Sequence, residues 1–129
     1  MKLIHFALIG AIIVVGGALL FTRAGTRNAG DASGSNVVME NGTQVIEIDA
    51  RAGYWPKKSN ARAGVPTVIR MRSNGAFDCS SYVVVPDAKF RGSLPQSGSL
   101  DIPVPVQEKG KIMRGSCGMG MYSFSIQFD

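Results

Sequence analysis

Apolar and polar residues alternate along several stretches of the chain after residue 36, and this alternation predicts β-strands. The run 122–128 reads Tyr-Ser-Phe-Ser-Ile-Gln-Phe, and the run 68–72 reads Val-Ile-Arg-Met-Arg. A period of two places every second side chain on the same face of a strand, so each run has one face suited to burial. No stretch after residue 36 carries an apolar stripe at helical spacing that is long enough to predict a helix.

Seven short runs with strand-forming composition are separated by Gly, Pro, Asn and Asp residues. They are Val37 to Glu40, Gln44 to Ala50, Val65 to Arg72, Ser81 to Val85, Ser99 to Val106, Lys111 to Ser116 and Tyr122 to Phe128. Asn41-Gly42, between the first two runs, is typical of a two-residue hairpin turn. This succession of strands and turns predicts an all-β fold, a Greek-key β-sandwich over residues 37–129.

The first part of the chain has a different pattern. Nineteen residues from Leu3 to Phe21 carry no formal charge. At ~1.5 Å per residue, a helix of this length crosses a hydrocarbon core of about 30 Å. The end of this run and the two residues after it, Leu19 to Arg23, lack the small-x-small pattern of a cleavage site. We therefore predict one transmembrane helix, an uncleaved signal anchor, over residues 1–23, and a flexible Gly- and Ser-rich linker over residues 24–36.

We expect the domain after this anchor to lie on the extracytoplasmic side of the membrane, either periplasmic or at the cell surface. Basic residues flank the segment on both sides, Lys2 before it and Arg23 and Arg27 after it, so the positive-inside rule does not predict its orientation. The expectation depends instead on the absence of a second apolar span in the sequence. This segment is then the one export signal for everything that follows it.

Size, charge and histidine content exclude several classes of function. The 129 residues leave room for one small domain without a large substrate cleft. The net charge is +5, but the basic residues are scattered and not interleaved with aromatic residues, so we predict no nucleic-acid binding. The one histidine, His5, lies in the predicted membrane segment. Blue-copper centres, catalytic zinc sites and His-activated nucleophiles all need histidine, so we predict that the protein is not an enzyme.

The most distinctive local sequence is Cys117-Gly118-Met119-Gly120-Met121, between the last two predicted strands. Thiolate and thioether sulfurs are soft donors that select copper(I), and the alternating glycines let the backbone turn tightly. Methionine also fills gaps in cores. Glycine on both sides argues against that alternative here, because glycine weakens a packed strand.

Cys79 lies just before the predicted strand Ser81 to Val85 and has two possible roles. It could share a copper(I) ion with the Cys117 loop. It could also form a disulfide with Cys117, the usual state of two cysteines in an exported domain. In the second case the protein would be a disulfide-stapled β-sandwich interaction module without metal. Both roles require the two sulfurs to lie close together, so the sequence leaves both open.

Four segments in the same order resemble the cupredoxin superfamily. They are Gly53-Tyr54-Trp55-Pro56, Ala63-Gly64-Val65-Pro66-Thr67, Cys79 before Val83-Val84-Val85-Pro86, and Cys117-Gly118-Met119-Gly120-Met121. The resemblance covers Val37 to Asp129. It is strongest to membrane-anchored cupredoxin-type copper(I) chaperones and to the cupredoxin-like domains found with copper-exporting ATPases.

The resemblance implies a set of ligands and a role. Blue-copper members carry a His before the Val-rich strand and then Cys, His and Met in the loop, whereas this chain has Cys79, Cys117, Met119 and Met121 at the matching positions. Such a sulfur set favours Cu(I). Glu47 resembles a carboxylate that helps hold a second, weaker copper ion, although its alternation with two isoleucines also fits a solvated residue. The implied role is a membrane-tethered chaperone that passes Cu(I) to a copper-exporting P-type ATPase.

Overall fold

The computed structural model describes residues 36–129. The predicted transmembrane helix over residues 1–23 lies outside the described residues, as does nearly all of the predicted linker over 24–36. Within the described part of the chain, no helix is long and apolar enough to cross a membrane.

Ten strands form the domain. In chain order they are β1 (Val37–Glu40), β2 (Thr43–Ala50), β3 (Tyr54–Trp55), β4 (Lys58–Ala61), β5 (Thr67–Asn74), β6 (Tyr82–Val85), β7 (Phe90–Ser93), β8 (Ser97–Val104), β9 (Ile112–Cys117) and β10 (Ser123–Phe128). A first 3₁₀ helix, Cys79–Ser81, precedes β6, and a second, Pro86–Ala88, follows it. The prediction of an all-β domain is confirmed.

The strands form two mixed sheets. Sheet 1 has the order β1-β2-β5-β8, with β3 also paired to β2, and sheet 2 has the order β4-β10-β9-β6-β7. The pairs β2–β5 and β4–β10 are parallel, and the other pairs are antiparallel. The predicted hairpin between β1 and β2 is present. Asn41 and Gly42 both have positive φ, 49° and 80°, as a type I′ turn requires.

The core lies between the inner faces of the two sheets. Its fully buried side chains include Ile46, Ile48, Ile69, Met71 and Ile102 from sheet 1 and Val83, Val85, Met113, Ile126 and Phe128 from sheet 2. Met71 and Met113, which lie within strand patterns of the sequence, belong to this core, whereas Met39 does not. Met39 is 54% exposed because β1 is an edge strand of sheet 1.

A glycine and an aromatic ring fit together beneath the loop that joins β9 to β10. Gly115 lies directly opposite Phe124 in the ladder, and the Phe124 ring fills the space that a side chain on Gly115 would need. The same ring packs edge-to-face on buried Tyr54, with 5.3 Å between the ring centroids. The ring therefore joins sheet 2 to β3 of sheet 1 just below the loop.

We expect Gly115→Ala to destabilise the domain by about 1–3 kcal/mol, because a methyl group would overlap the Phe124 ring and force the core to shift. Gly92→Ala is the matched control. Gly92, on edge strand β7, also faces a phenylalanine ring, but its added carbon would stay 3.2 Å from Phe90. Urea unfolding of both variants measures the difference, and equal losses would contradict the expectation.

Candidate metal centre

Cys79 is held by the turn that leads into β6. It is the first residue of the first 3₁₀ helix, and its side chain is half-buried against the core. Asp78 caps this helix, because its side chain accepts a hydrogen bond from the Ser80 N–H at 2.8 Å. The turn therefore fixes the backbone of Cys79 at the end of sheet 2.

Cys117 is the last residue of β9 and is almost fully buried, with 1% of its surface exposed. Its partner in the ladder is Val83 of β6, the strand that follows the first 3₁₀ helix. This register brings the end of β9 beside Cys79. The loop after Cys117 is tight, since the Cys117 N–H donates to the Tyr122 carbonyl and the Gly120 N–H donates to the Cys117 carbonyl, each at 3.0 Å.

The two cysteines meet, as both sequence interpretations required. Their sulfurs are joined as a disulfide, with 5.7 Å between the Cα atoms. The Tyr122 N–H donates to the Cys117 sulfur at 3.4 Å. This contact helps fix the position of the Cys117 sulfur at the end of the loop.

The two methionines lie on the same loop but face outward. Met119 is 82% exposed and Met121 is 67% exposed. Gly118 allows the loop to pass close to Tyr82, because an added carbon at Gly118 would lie 3.0 Å from that ring. The predicted sulfur residues are therefore arranged as a bonded pair, half-buried Cys79 and buried Cys117, next to an exposed loop that carries both methionines. We call this the Met loop (residues 118–121).

Met121 shares a small cavity with an aromatic residue that the sequence did not single out as a ligand. The cavity measures about 180 Å³ and is lined by Ala52, Gly53, Tyr54, Trp55, Lys57, Met121, Tyr122 and Ser123. The Trp55 ring N–H donates to the Arg51 carbonyl at 3.2 Å, and the Lys57 ammonium lies 5.0 Å from the ring centroid. The indole is thus fixed with one face turned to a cation.

Glu47 is not brought to the sulfurs. Its neighbours Ile46 and Ile48 point into the core, so its own side chain lies on the outer face of sheet 1. There it forms an ion pair with Arg72 at 3.6 Å. Cys117 belongs to sheet 2 and faces the core, which separates the two positions by the thickness of sheet 1 and the core.

The outer face of sheet 1 carries a ladder of ion pairs around two arginines. Arg70 contacts Glu40 at 3.0 Å and Asp101 at 2.8 Å, and Arg72 contacts Asp49 at 2.8 Å in addition to Glu47. These hydrogen bonds raise the pKa of both guanidinium groups above the ordinary value, and the bond from Arg70 lowers the pKa of Asp101. Among residues 36–129, no three His, Cys, Asp or Glu side chains converge as a metal site.

Asp78 is a residue near the cysteines to which sequence reasoning gave no role. Its pKa is lowered by hydrogen bonds from the Ser80 side chain and backbone. The Asp-x-Ser spacing is the pattern of a capping residue, and it could have indicated this contact. Burial, and then the negative charge of Asp78, raises the pKa of Tyr54 to about 12.

Comparison with known proteins supports the fold. No protein-family model matches the chain, and no curated protein is significantly similar to it in sequence. The structure is similar to the metal-binding domain of the Cu(I)-exporting P-type ATPase CopA of Streptococcus pneumoniae D39, solved with Cu(I). The TM-score is 0.64 and the identity 26%, and the match covers 72% of this chain and 92% of that domain.

Two further solved structures share the architecture. The solution structure of a copper binding protein in the apo form has a TM-score of 0.65 and 23% identity, covering 77% of this chain and 100% of that one. Auracyanin B has a TM-score of 0.51 and 11% identity, covering 75% and 96%. The β-domain therefore has a cupredoxin-like fold that it shares with copper-binding domains.

The raised pKa of Tyr54 predicts a loss of stability in alkali. The folded value of about 12 exceeds the ordinary value of 10.0, so the folded state holds this proton more tightly than the unfolded state. The contribution is complete below pH 10 and is lost as the pH rises through 12. We expect Tyr54→Phe to flatten this part of the profile of unfolding free energy against pH, and Tyr122→Phe to serve as the control. Identical profiles for both variants would contradict the assignment.

Proposed function

We propose that this protein is a membrane-tethered, extracytoplasmic copper(I) chaperone. It holds Cu(I) between Cys79 and Cys117, with Met119 and Met121 as outer ligands, and passes the ion to a copper-exporting P-type ATPase. The observation that carries the proposal is the meeting of the two cysteines beside the Met loop. The predicted membrane segment, Leu3 to Phe21, supplies the tether.

The chemistry of the donors supports Cu(I) as the cargo. Two thiolates and two thioethers form a soft set, which suits Cu(I), and the described domain offers no histidine that would stabilise Cu(II). The similarity to a domain solved with Cu(I), at 26% identity, supports the same conclusion. Glu47 has no part in this ligand set, because it faces outward from sheet 1.

The difference in exposure between the sulfurs provides a route for transfer. Cys117 is almost fully buried, whereas Met119 and Met121 are mostly exposed. A partner's sulfur ligand can therefore approach the ion from the side of the thioethers while the thiolates still hold it. Tethering keeps the local concentration of the carrier high at the membrane, so each transfer needs no diffusion from bulk solution.

The disulfide favours a second candidate function, the metal-free interaction module. A bonded sulfur pair has no thiolate to offer, so Cu(I) binding requires two-electron reduction of this bond by a thiol or similar reductant. In the chaperone, the dithiol is the working form and the disulfide is the oxidised resting form. In the interaction module, the disulfide is permanent and the Met loop is a contact surface.

A competition experiment separates these two functions. We expect the reduced full chain to take Cu(I) from a chromophoric chelator. Loss of a group that only orients a ligand typically weakens metal affinity by about 10–100-fold, and we expect Cys117→Ser, which removes a ligand itself, to weaken Cu(I) affinity by more than this. Ser116→Ala, a change at the preceding residue of the same strand, is the matched control and should keep the Cu(I) affinity of the unmodified chain. The chaperone proposal is wrong if the reduced chain fails to compete or if Cys117→Ser binds like the unmodified protein.

The single tryptophan offers a direct reading of the Met loop. Trp55 and Met121 line the same cavity, so Cu(I) or Ag(I) held by Met121 is expected to quench Trp55 fluorescence. Met121→Leu should reduce the quenching, whereas Met113→Leu, at a fully buried core position, should leave it unchanged. Equal quenching in both variants would show that Met121 is not a ligand.

A further inference from the structure

The turn around Cys79 is held by four hydrogen bonds, all of which Asp78 accepts. The Asp78 carboxylate accepts from the N–H and from the hydroxyl of Ser80, and the Asp78 carbonyl accepts from the N–H and the hydroxyl of Ser81. Ser80 is fully buried. The chain on both sides of the Cys79 side chain is thereby closed into one turn.

Asp78 also reaches a second loop. The backbone N–H of Ala52 is near enough to the Asp78 carboxylate to contribute to the lowering of its pKa. Ala52 lies in the turn between β2 and β3, where it has a positive φ of 48°. This turn leads to Tyr54, whose hydroxyl donates to the Tyr82 carbonyl at 3.4 Å. The Asp78 carboxylate therefore caps the cysteine-bearing turn of sheet 2 and lies close to the β2–β3 turn of sheet 1.

The second 3₁₀ helix shows that such a turn does not need this device to form. Pro86–Ala88 has the same length and lies at the other end of β6. It begins with a proline, and its capping residue, Val85, makes no side-chain hydrogen bond. The two helices differ in what they carry. The capped helix begins with Cys79, and the uncapped one holds no sulfur.

We infer that Asp78 is a positioning residue for copper binding: its hydrogen bonds preset the Cys79 sulfur beside Cys117, so that reduction leaves two sulfurs already placed for one ion. This inference rests on the proposed copper(I) function. Groups of this kind, which orient a ligand without touching the metal, typically contribute 10–100-fold to metal affinity. The contribution comes from hydrogen-bond geometry rather than from the negative charge next to Cys79.

Two substitutions with opposite expectations separate geometry from charge. Asp78→Asn removes the charge but keeps a side-chain oxygen at the same place, so we expect Cu(I) affinity within about threefold of the unmodified chain. Asp78→Glu keeps the charge but moves the carboxylate outward by one methylene, and we expect a loss of about tenfold. If Asp78→Asn weakens binding while Asp78→Glu preserves it, charge is the cause and the inference is overturned.

The measurement is chelator competition with the reduced full chain, accompanied by a thermal melt of each variant. Asp87→Ala, in the second 3₁₀ helix, is the matched control and should keep full affinity. Asp78→Ala should lose about 10–100-fold while the fold is retained, and full affinity in this variant would overturn the inference. A failure of the chaperone proposal is seen separately, because Cys117→Ser then has no effect in the same assay.

Discussion

The pairing register between β6 and β9 is the constraint on which the sulfur site depends. Val83 lies opposite Cys117, and the turn that carries Cys79 enters β6 just before Val83. A slip of one residue in this ladder would turn Cys117 from the core to the outer face of sheet 2. The register is held by burial of Val83, Val85 and Met113 between the sheets, so the core fixes the position of the sulfurs.

The alternating pattern was sufficient to predict the strands that build the core. All seven predicted runs overlap strands of the structure. Three further strands, β3, β4 and β7, escaped prediction because their sequences carry little apolar periodicity. Lys58–Ala61, for example, pairs in parallel with β10, and its buried residues are the small Ser59 and Ala61. Such a strand forms because it pairs with a neighbouring strand that is distant in the sequence, and a local sequence pattern carries no information about that pairing.

The candidate site was predictable to the extent that it depends on residue type. The Cys-Gly-Met-Gly-Met sequence indicated soft ligands, and two cysteines in a small domain indicated proximity. The orientation of Glu47 required the sheet, since the resemblance and the strand alternation pointed in different directions and the structure agrees with the alternation. The hydrogen bonds of Asp78 depend on the conformation of the turn that it caps, and the alternating pattern does not specify that conformation.

The ion-pair ladder on the outer face of sheet 1 has a consequence for how the domain can meet other molecules. Arg70 and Arg72 are each held between two carboxylates, and burying this surface under a partner would strip water from all six ions. The outer face of sheet 1 is therefore suited to remain exposed to solvent. A partner molecule is then expected to bind at the outer face of sheet 2 or at the ends of the sandwich. This restricts the orientations in which the domain can approach that partner.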